Sequence, residues 1–225
     1  MVTNKIHVVL SMLVVILAFT SYLMEAKSQE GHYVVPDYKG SAESFFSLKD
    51  TIIRQEVGSF TFIGSLLGLT GKASLREFEL YGFSHQTLTL VLDEMRIFIS
   101  RGPFHPTLHR ISYFGPHNYV YLIDGRYYWG VDGRLPGQRM LSVHVSLSAE
   151  QMSLPHRAIR DIFEPNFCRR RLLFGRVECQ ARAFLSEDGE RIYIYMLNSR
   201  VPSLYEVTWI IRNGEYLGRV VDYAY

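Results

Sequence analysis

The sequence predicts an α+β domain built on a mixed, mostly antiparallel central sheet with helices packed against it. The first observation behind this is residues 76–102, where Phe78 and Leu80, then Leu88, Leu90 and Leu92, then Ile97 and Ile99 recur at period two. That spacing sends alternate side chains to one buried sheet face, and the polar breaks between the runs suit an antiparallel meander. The second is helical spacing elsewhere: Phe45, Phe46, Leu48, Ile52 and Ile53 in residues 41–53, and Leu154, Ala158, Ile159 and Ile162 in residues 154–163. Both place their apolar side chains on one stripe. The third is length: about 200 residues follow the N-terminal apolar run, enough for one sizeable core and too few for two ordinary domains.

In chain order, Lys5 precedes an apolar run from Val8 to Phe19, with Ser21, Glu25, Ala26 and Lys27 behind it. The run is short for a bilayer span and is followed by small and charged residues, so residues 1–26 read as a secretory signal peptide. Residues 27–225 then form a single domain that is secreted or held in an endomembrane or vacuolar compartment. No later run approaches spanning length, so no membrane is expected for the mature form. The helix over residues 41–53 takes Ser41 or Ser44 as its cap, and Phe60 to Leu69 form a loop and short apolar run leading to the meander. The meander's strands break at Tyr81 to Gln86 and at Asp93-Glu94. Strands are expected at residues 111–115 and 119–123, with a turn at Asp124-Gly125. The helix over residues 154–163 follows, with Pro155 in its first turn.

Residues 172–184 read either as a helix bearing Glu178 and Arg182 on one face or as a β-hairpin turning at Phe174-Gly175, since Gly175 weakens a helix interior. The tail is β-rich. Residues 190–197 and 205–211 alternate or run apolar, and Asp188-Gly189 and Asn213-Gly214 are strong turn dipeptides.

Composition sets limits. A hydrophobic share of 48% and an aromatic share of 14% describe a packed globule, not a disordered or repetitive chain. A formal net charge of +2 does not announce a nucleic-acid binder by bulk electrostatics, although Arg169-Arg170-Arg171 is a local basic cluster. Cys168 and Cys179 are the only cysteines. On an oxidising route they are free to pair if a hairpin joins them, whereas a helix through residues 172–184 holds them too far apart. His105, His109 and His117 lack convincing ligand spacing, and no metal is expected.

The meander's Thr-Leu-Thr-Leu-Val-Leu-Asp (Thr87 to Asp93), a following strand that ends in Gly102, the Ile-Ser-Tyr-Phe of residues 111–114, and Tyr128 at its distance from Arg139 and Leu141 carry a resemblance. Over about residues 40–184 the chain resembles the ricin-type ribosome-inactivating proteins. The resemblance implies a ribosome-inactivating-protein-like fold, with residues 27–165 as sheet and helices and residues 166–225 as catalytic segment and shortened tail. It implies an rRNA N-glycosylase that removes one adenine from large-subunit ribosomal RNA, with the ribosome as partner, no cofactor and no lectin chain. By the same resemblance Phe98 and Tyr128 sandwich the adenine, Glu178 faces the ribosyl cation, Arg182 assists the leaving base and Trp209 supports the pocket floor. Such chemistry needs a splayed-out base and charge stabilised only in the transition state.

Two departures separate the chain from that family: Glu178 and Arg182 are four apart where the family has three, and Phe98 stands in place of tyrosine. They favour the alternative, a catalytically inactive secreted β-rich binding or interaction protein. The discriminating observation is whether residues 172–184 are helical, with Glu178 and Arg182 opening into a cleft beside Tyr128.

Overall fold

The computed structural model describes residues 42–131, 133–147, 150–170, 177–198 and 204–224. The expected signal peptide lies outside the described residues. In chain order the elements are α1 (Thr51–Gly58), α2 (Phe62–Leu66), β1 (Leu75–Glu77), β2 (Glu79–Phe83), β3 (Thr87–Leu92), β4 (Met95–Pro103), β5 (Ile111–Phe114) and β6 (Tyr119–Ile123). They continue with β7 (Gln138–Leu147), β8 (Glu150–Ser153), β9 (Cys168–Arg170), β10 (Val177–Cys179), β11 (Ala181–Ser186), β12 (Arg191–Asn198), β13 (Tyr205–Arg212) and β14 (Glu215–Tyr223).

Two five-stranded sheets dominate. Sheet A has the order β1-β11-β12-β13-β14 and sheet B the order β2-β3-β4-β7-β8. Every strand pairing within them is antiparallel. Leu88, Ile97, Ile99, Val143 and Val145 of sheet B share one buried cluster with Ala183, Ile194, Val207 and Trp209 of sheet A, which makes the pair a sandwich. Sheet A is covered on its other face as well: Phe184, Tyr193, Tyr195, Ile210 and Val220 pack with Phe45, Ile53 and Val57. That double burial explains why β12 and β13 read as nearly continuous apolar runs. Among the described residues no helix is long and apolar enough to cross a membrane.

The expected α+β architecture with packed helices is therefore corrected. Among the described residues the structure is mostly antiparallel sheet, 51% strand and 13% helix, with two short α-helices. The ricin-type layout implied by resemblance falls with it. The helix expected over residues 41–53 is shorter and starts later. The Ser44 hydroxyl and the Phe45 N–H donate to Asp222 at 2.7 and 2.8 Å, and Phe45–Ser47 form only a 3-10 turn. The helix begins at Thr51, where Asp50 caps it by accepting from Ile52 N and Ile53 N at 2.9 and 3.1 Å.

The helix expected over residues 154–163 does not form either, although Leu154, Ala158, Ile159 and Ile162 are all buried as their spacing suggested. Its backbone groups are taken by neighbours: Trp129 N–H donates to Asp161 O, Phe163 N–H to Trp129 O, and Met140 N–H to Ile162 O, at 2.8 to 3.0 Å. Only a 3-10 turn, His156–Ala158, remains.

The meander holds only from Glu79 on: residues 75–77 instead form β1 of sheet A, Leu80, expected on the buried face, is exposed, and β2 runs on to Phe83, past the expected break at Tyr81. β2, β3 and β4 pair in sequence, with Leu88 opposite Ile99 and Leu90 opposite Ile97, all four facing the core. The tail turns also stand, since Asn213 and Gly214 both adopt positive φ, 52° and 79°, the left-handed pair that closes a tight hairpin between β13 and β14. The hairpin alternative holds for the described part of residues 172–184. β9 and β10 pair antiparallel, Cys168 opposite Cys179, and the two form a disulfide with Cα atoms 4.0 Å apart. The expected turn at Phe174-Gly175 lies outside the described residues.

Candidate ligand-binding site

The five residues expected to form one active site stand in separate places. Glu178 lies on the β9–β10 ribbon, accepting from its cross-strand neighbour Arg169 at 3.2 Å. Arg182 lies on β11, on the helix-facing side of sheet A, and forms a two-pronged pair with Glu77 of β1 at 2.6 Å for each contact. Phe98 lies mid-strand on the outer face of sheet B beside His144, ring centroids 6.2 Å apart. Trp209 is fully buried between the sheets and donates its indole N–H to Ala158 O at 2.8 Å. Tyr128 packs edge-on against Phe163 next to the β5–β6 arm, its hydroxyl donating to Val120 O at 3.0 Å. One large cleft contains Arg182 and one small cavity contains Tyr128, and neither contains another of the five.

The cleft holding Arg182 has a volume of about 500 Å³ and lies between the α1–α2 segment and the β1, β11 and β12 strands of sheet A. Its construction follows from the local sequence. Gly58 and Gly64 let α1 and α2 cross closely, since a side chain on Gly64 would run into the Gly58 carbonyl. The chain then loops back through Gly68 and Gly71, both at φ 68°, before joining β1. This loop covers the sheet incompletely and leaves the cleft.

One wall is aromatic: Phe60 stacks on Phe184 at 4.4 Å, and Phe62 and Tyr195 also line the space. The polar wall is the Arg182–Glu77 pair, with the Arg182 guanidinium 4.9 Å from the Phe184 ring centroid. Hydrogen bonding to Glu77 holds that guanidinium charged beyond its ordinary range. Behind the aromatic wall Glu206 fixes α2 to the sheet, accepting from Phe62 N at 2.6 Å, Ile63 N at 2.8 Å and Tyr195 OH at 2.9 Å. Burial raises the Glu206 carboxyl above its usual range, against the pull of those donors. Burial likewise holds the Tyr195 phenol protonated.

The chemistry on offer here is recognition: an apolar, aromatic slot with one paired cation and anion in its wall. Arg182 was singled out in the sequence only for the leaving-base role that the resemblance implies; its partner Glu77 and the aromatic wall were not legible, because they come from segments far apart in sequence.

The smaller cavity, 160 Å³, gathers His109, Asp124, Arg126, Tyr127, Tyr128, Arg139, Arg160 and Asp161. Phe163, which also lines it, is approached closely by Gly130, at φ 125°, where a side chain would strike the Phe163 carbonyl beside the bridge joining Trp129 to Ile162. His109 Nδ1–H donates to the Asp124 carboxylate at 2.7 Å, and this bond is the largest cause of a lowered Asp124 pKa. No family model, no curated protein and no solved structure matches this chain.

Proposed function

We propose that this is a secreted β-sandwich binding protein whose ligand occupies the cleft beside Arg182. The observation that carries the reading is the cleft itself. Its 500 Å³ falls in the size range of small-molecule sites, and its lining joins an aromatic slot to a few convergent polar groups. The ligand this suits is a small amphiphile, with a ring or chain against Phe60, Phe62 and Phe184 and an anionic head that competes with Glu77 for Arg182. Secretion is supported by the short N-terminal apolar run and by the Cys168–Cys179 disulfide.

The N-glycosylase reading needs a carboxylate, a guanidinium and two stacking rings in one cleft. Glu178, Arg182, Phe98 and Tyr128 lie on separate elements, which favours binding over catalysis.

The fluorescent aromatic sulfonate 8-anilinonaphthalene-1-sulfonate is a suitable probe, since it combines an apolar body with an anionic head. It is expected to bind the folded chain at a single site. Arg182→Met should weaken it by about tenfold, the scale of one charge-assisted contact, and Thr70→Trp, which fills the cleft, should abolish binding. Unchanged binding in both variants would overturn the cleft assignment. A separate assay, ribosome incubation followed by aniline treatment of the rRNA, is expected to give no cleavage fragment. A fragment lost on Glu178→Gln would restore the glycosylase reading.

A further inference from the structure

The small cavity carries an electrostatic imbalance that the fold does not explain. Arg126, Arg139 and Arg160 all line it, and among the described residues none of the three has a carboxylate partner. The two acids in the lining are already engaged. Asp124 accepts from His109 at 2.7 Å and from Arg110 N at 2.9 Å, while both oxygens of Asp161 accept from Arg219 at 2.6 Å.

Arg139 is the most telling of the three. Its Nε is buried with no hydrogen-bond partner, and its Nη1 has only His109 Nε2, at 3.5 Å. A buried guanidinium nitrogen without an acceptor is rare enough to need a reason, because leaving it unpaired costs its full desolvation. His109 is itself held in place, stacked on Phe104 at 4.6 Å and bonded to Asp124, so the arrangement around Arg139 is prepared in advance.

We propose that this cavity is a second binding site, independent of the Arg182 cleft, for the terminal tetrahedral oxyanion of a small phosphate or sulfate ester. Three chemical features select that class. Three guanidiniums converging on one space match a group with several terminal oxygens and full negative charge, and guanidinium forks bond such oxygens in pairs. The volume, 160 Å³, is about five waters at roughly 30 Å³ each, room for an oxyanion and part of one ring but not for a passing polymer strand. The rings of Tyr127 and Tyr128 stand in the same lining and offer an apolar flank to the organic part of the ester.

The test is a calorimetric titration of the intact chain with inorganic phosphate and with inorganic sulfate, each against chloride at matched ionic strength. Binding above the chloride background is expected for at least one of the two ions. Arg139→Gln and Arg160→Gln should each weaken it by about ten- to hundredfold, while Arg212→Gln, on the far end of β13, should leave it unchanged. Arg139 and Arg160 are both partly buried, so circular dichroism must first show that each variant is folded; Arg126→Gln, at an exposed lining position, serves as the further variant and should weaken binding likewise. No binding above chloride would overturn the proposal, and so would loss in Arg139→Gln with full retention in Arg160→Gln. A sugar phosphate and the matching sugar sulfate then separate the sources, the tighter binder naming the ester. Failure of both esters where the inorganic ion binds would overturn the ester assignment. Probe binding at the Arg182 cleft is measured separately, with a three-ring sulfonate too bulky for a 160 Å³ cavity that holds an oxyanion and part of one ring, so either site can fail alone.

Discussion

Sheets A and B have the same number of strands and the same antiparallel pairing, yet only one of them is buried on both faces. In sheet A, β13 alternates between two interiors: Val207 and Trp209 enter the sandwich core, while Glu206 and Ile210 face the helical cover. In sheet B the corresponding alternation ends in solvent, with Phe98 36% exposed on the outer face. The difference shows where a binding site can arise in such a sandwich. A bare sheet face is flat. A face partly covered by short helices and a glycine-bearing loop leaves a cleft between cover and strands, and the 500 Å³ space beside Arg182 is that gap.

The largest effect expected from this contrast is at Trp209. Its side chain is fully buried and its indole N–H is bonded to Ala158 O, so Trp209→Ala should destabilise the fold by about 3–5 kcal/mol in urea unfolding. A loss below about 1 kcal/mol would mean that the sandwich core is not where it is placed here.

An intermediate effect belongs to the helical cover. Glu206 and its cross-strand neighbour Asp222 anchor it, and burial raises the pKa of both. The folded state therefore holds protons on these groups more tightly than the unfolded chain does. Their contribution to stability is greatest at the bottom of a window opening near pH 4 and declines as pH rises toward the raised values. Asp188 acts in the opposite sense: its carboxyl is lowered to about 2, chiefly by the Ser186 hydroxyl, so its contribution is lost as pH falls below the ordinary carboxylate range. In urea midpoints measured from pH 4 to pH 7, Glu206→Gln should flatten the decline on the rising side. It should also cost about 1–3 kcal/mol near neutrality, because an amide cannot accept from all three donors that now converge on the carboxylate. A wild-type stability that climbs steadily through this window would contradict the buried-anchor assignment.

The smallest effect is expected on the open face. Phe98→Ser should change stability by less than about 1 kcal/mol, since one side of that ring faces water. A loss as large as that of Trp209→Ala would mean that the outer face of sheet B is covered by something.

These contrasts also mark what was legible in the sequence. Period-two spacing placed β3 and β4, and Asn213-Gly214 placed the last hairpin, because both signals are local. The burial of Leu154, Ala158, Ile159 and Ile162 was legible too, but not its form. Apolar spacing reports which residues go inside, whereas bridges to Trp129 and Met140, distant in sequence, decided that this backbone would not be a helix. Tyr128 and Arg182 were singled out, yet the sites around them were not, since Glu77 and Arg182, or Arg126, Arg139 and Arg160, meet only after folding.

Amide NMR of the isotope-labelled chain, titrated first with 8-anilinonaphthalene-1-sulfonate, tests the central claim most directly. The expected result is a set of shifted amides confined to the cleft, at Phe60, Phe62, Gly71 and Arg182, with the amides of Phe98 and its neighbour His144 on sheet B unmoved. Shifts centred on Phe98, or no shifts at all, would contradict the assignment of binding to the incompletely covered face of sheet A.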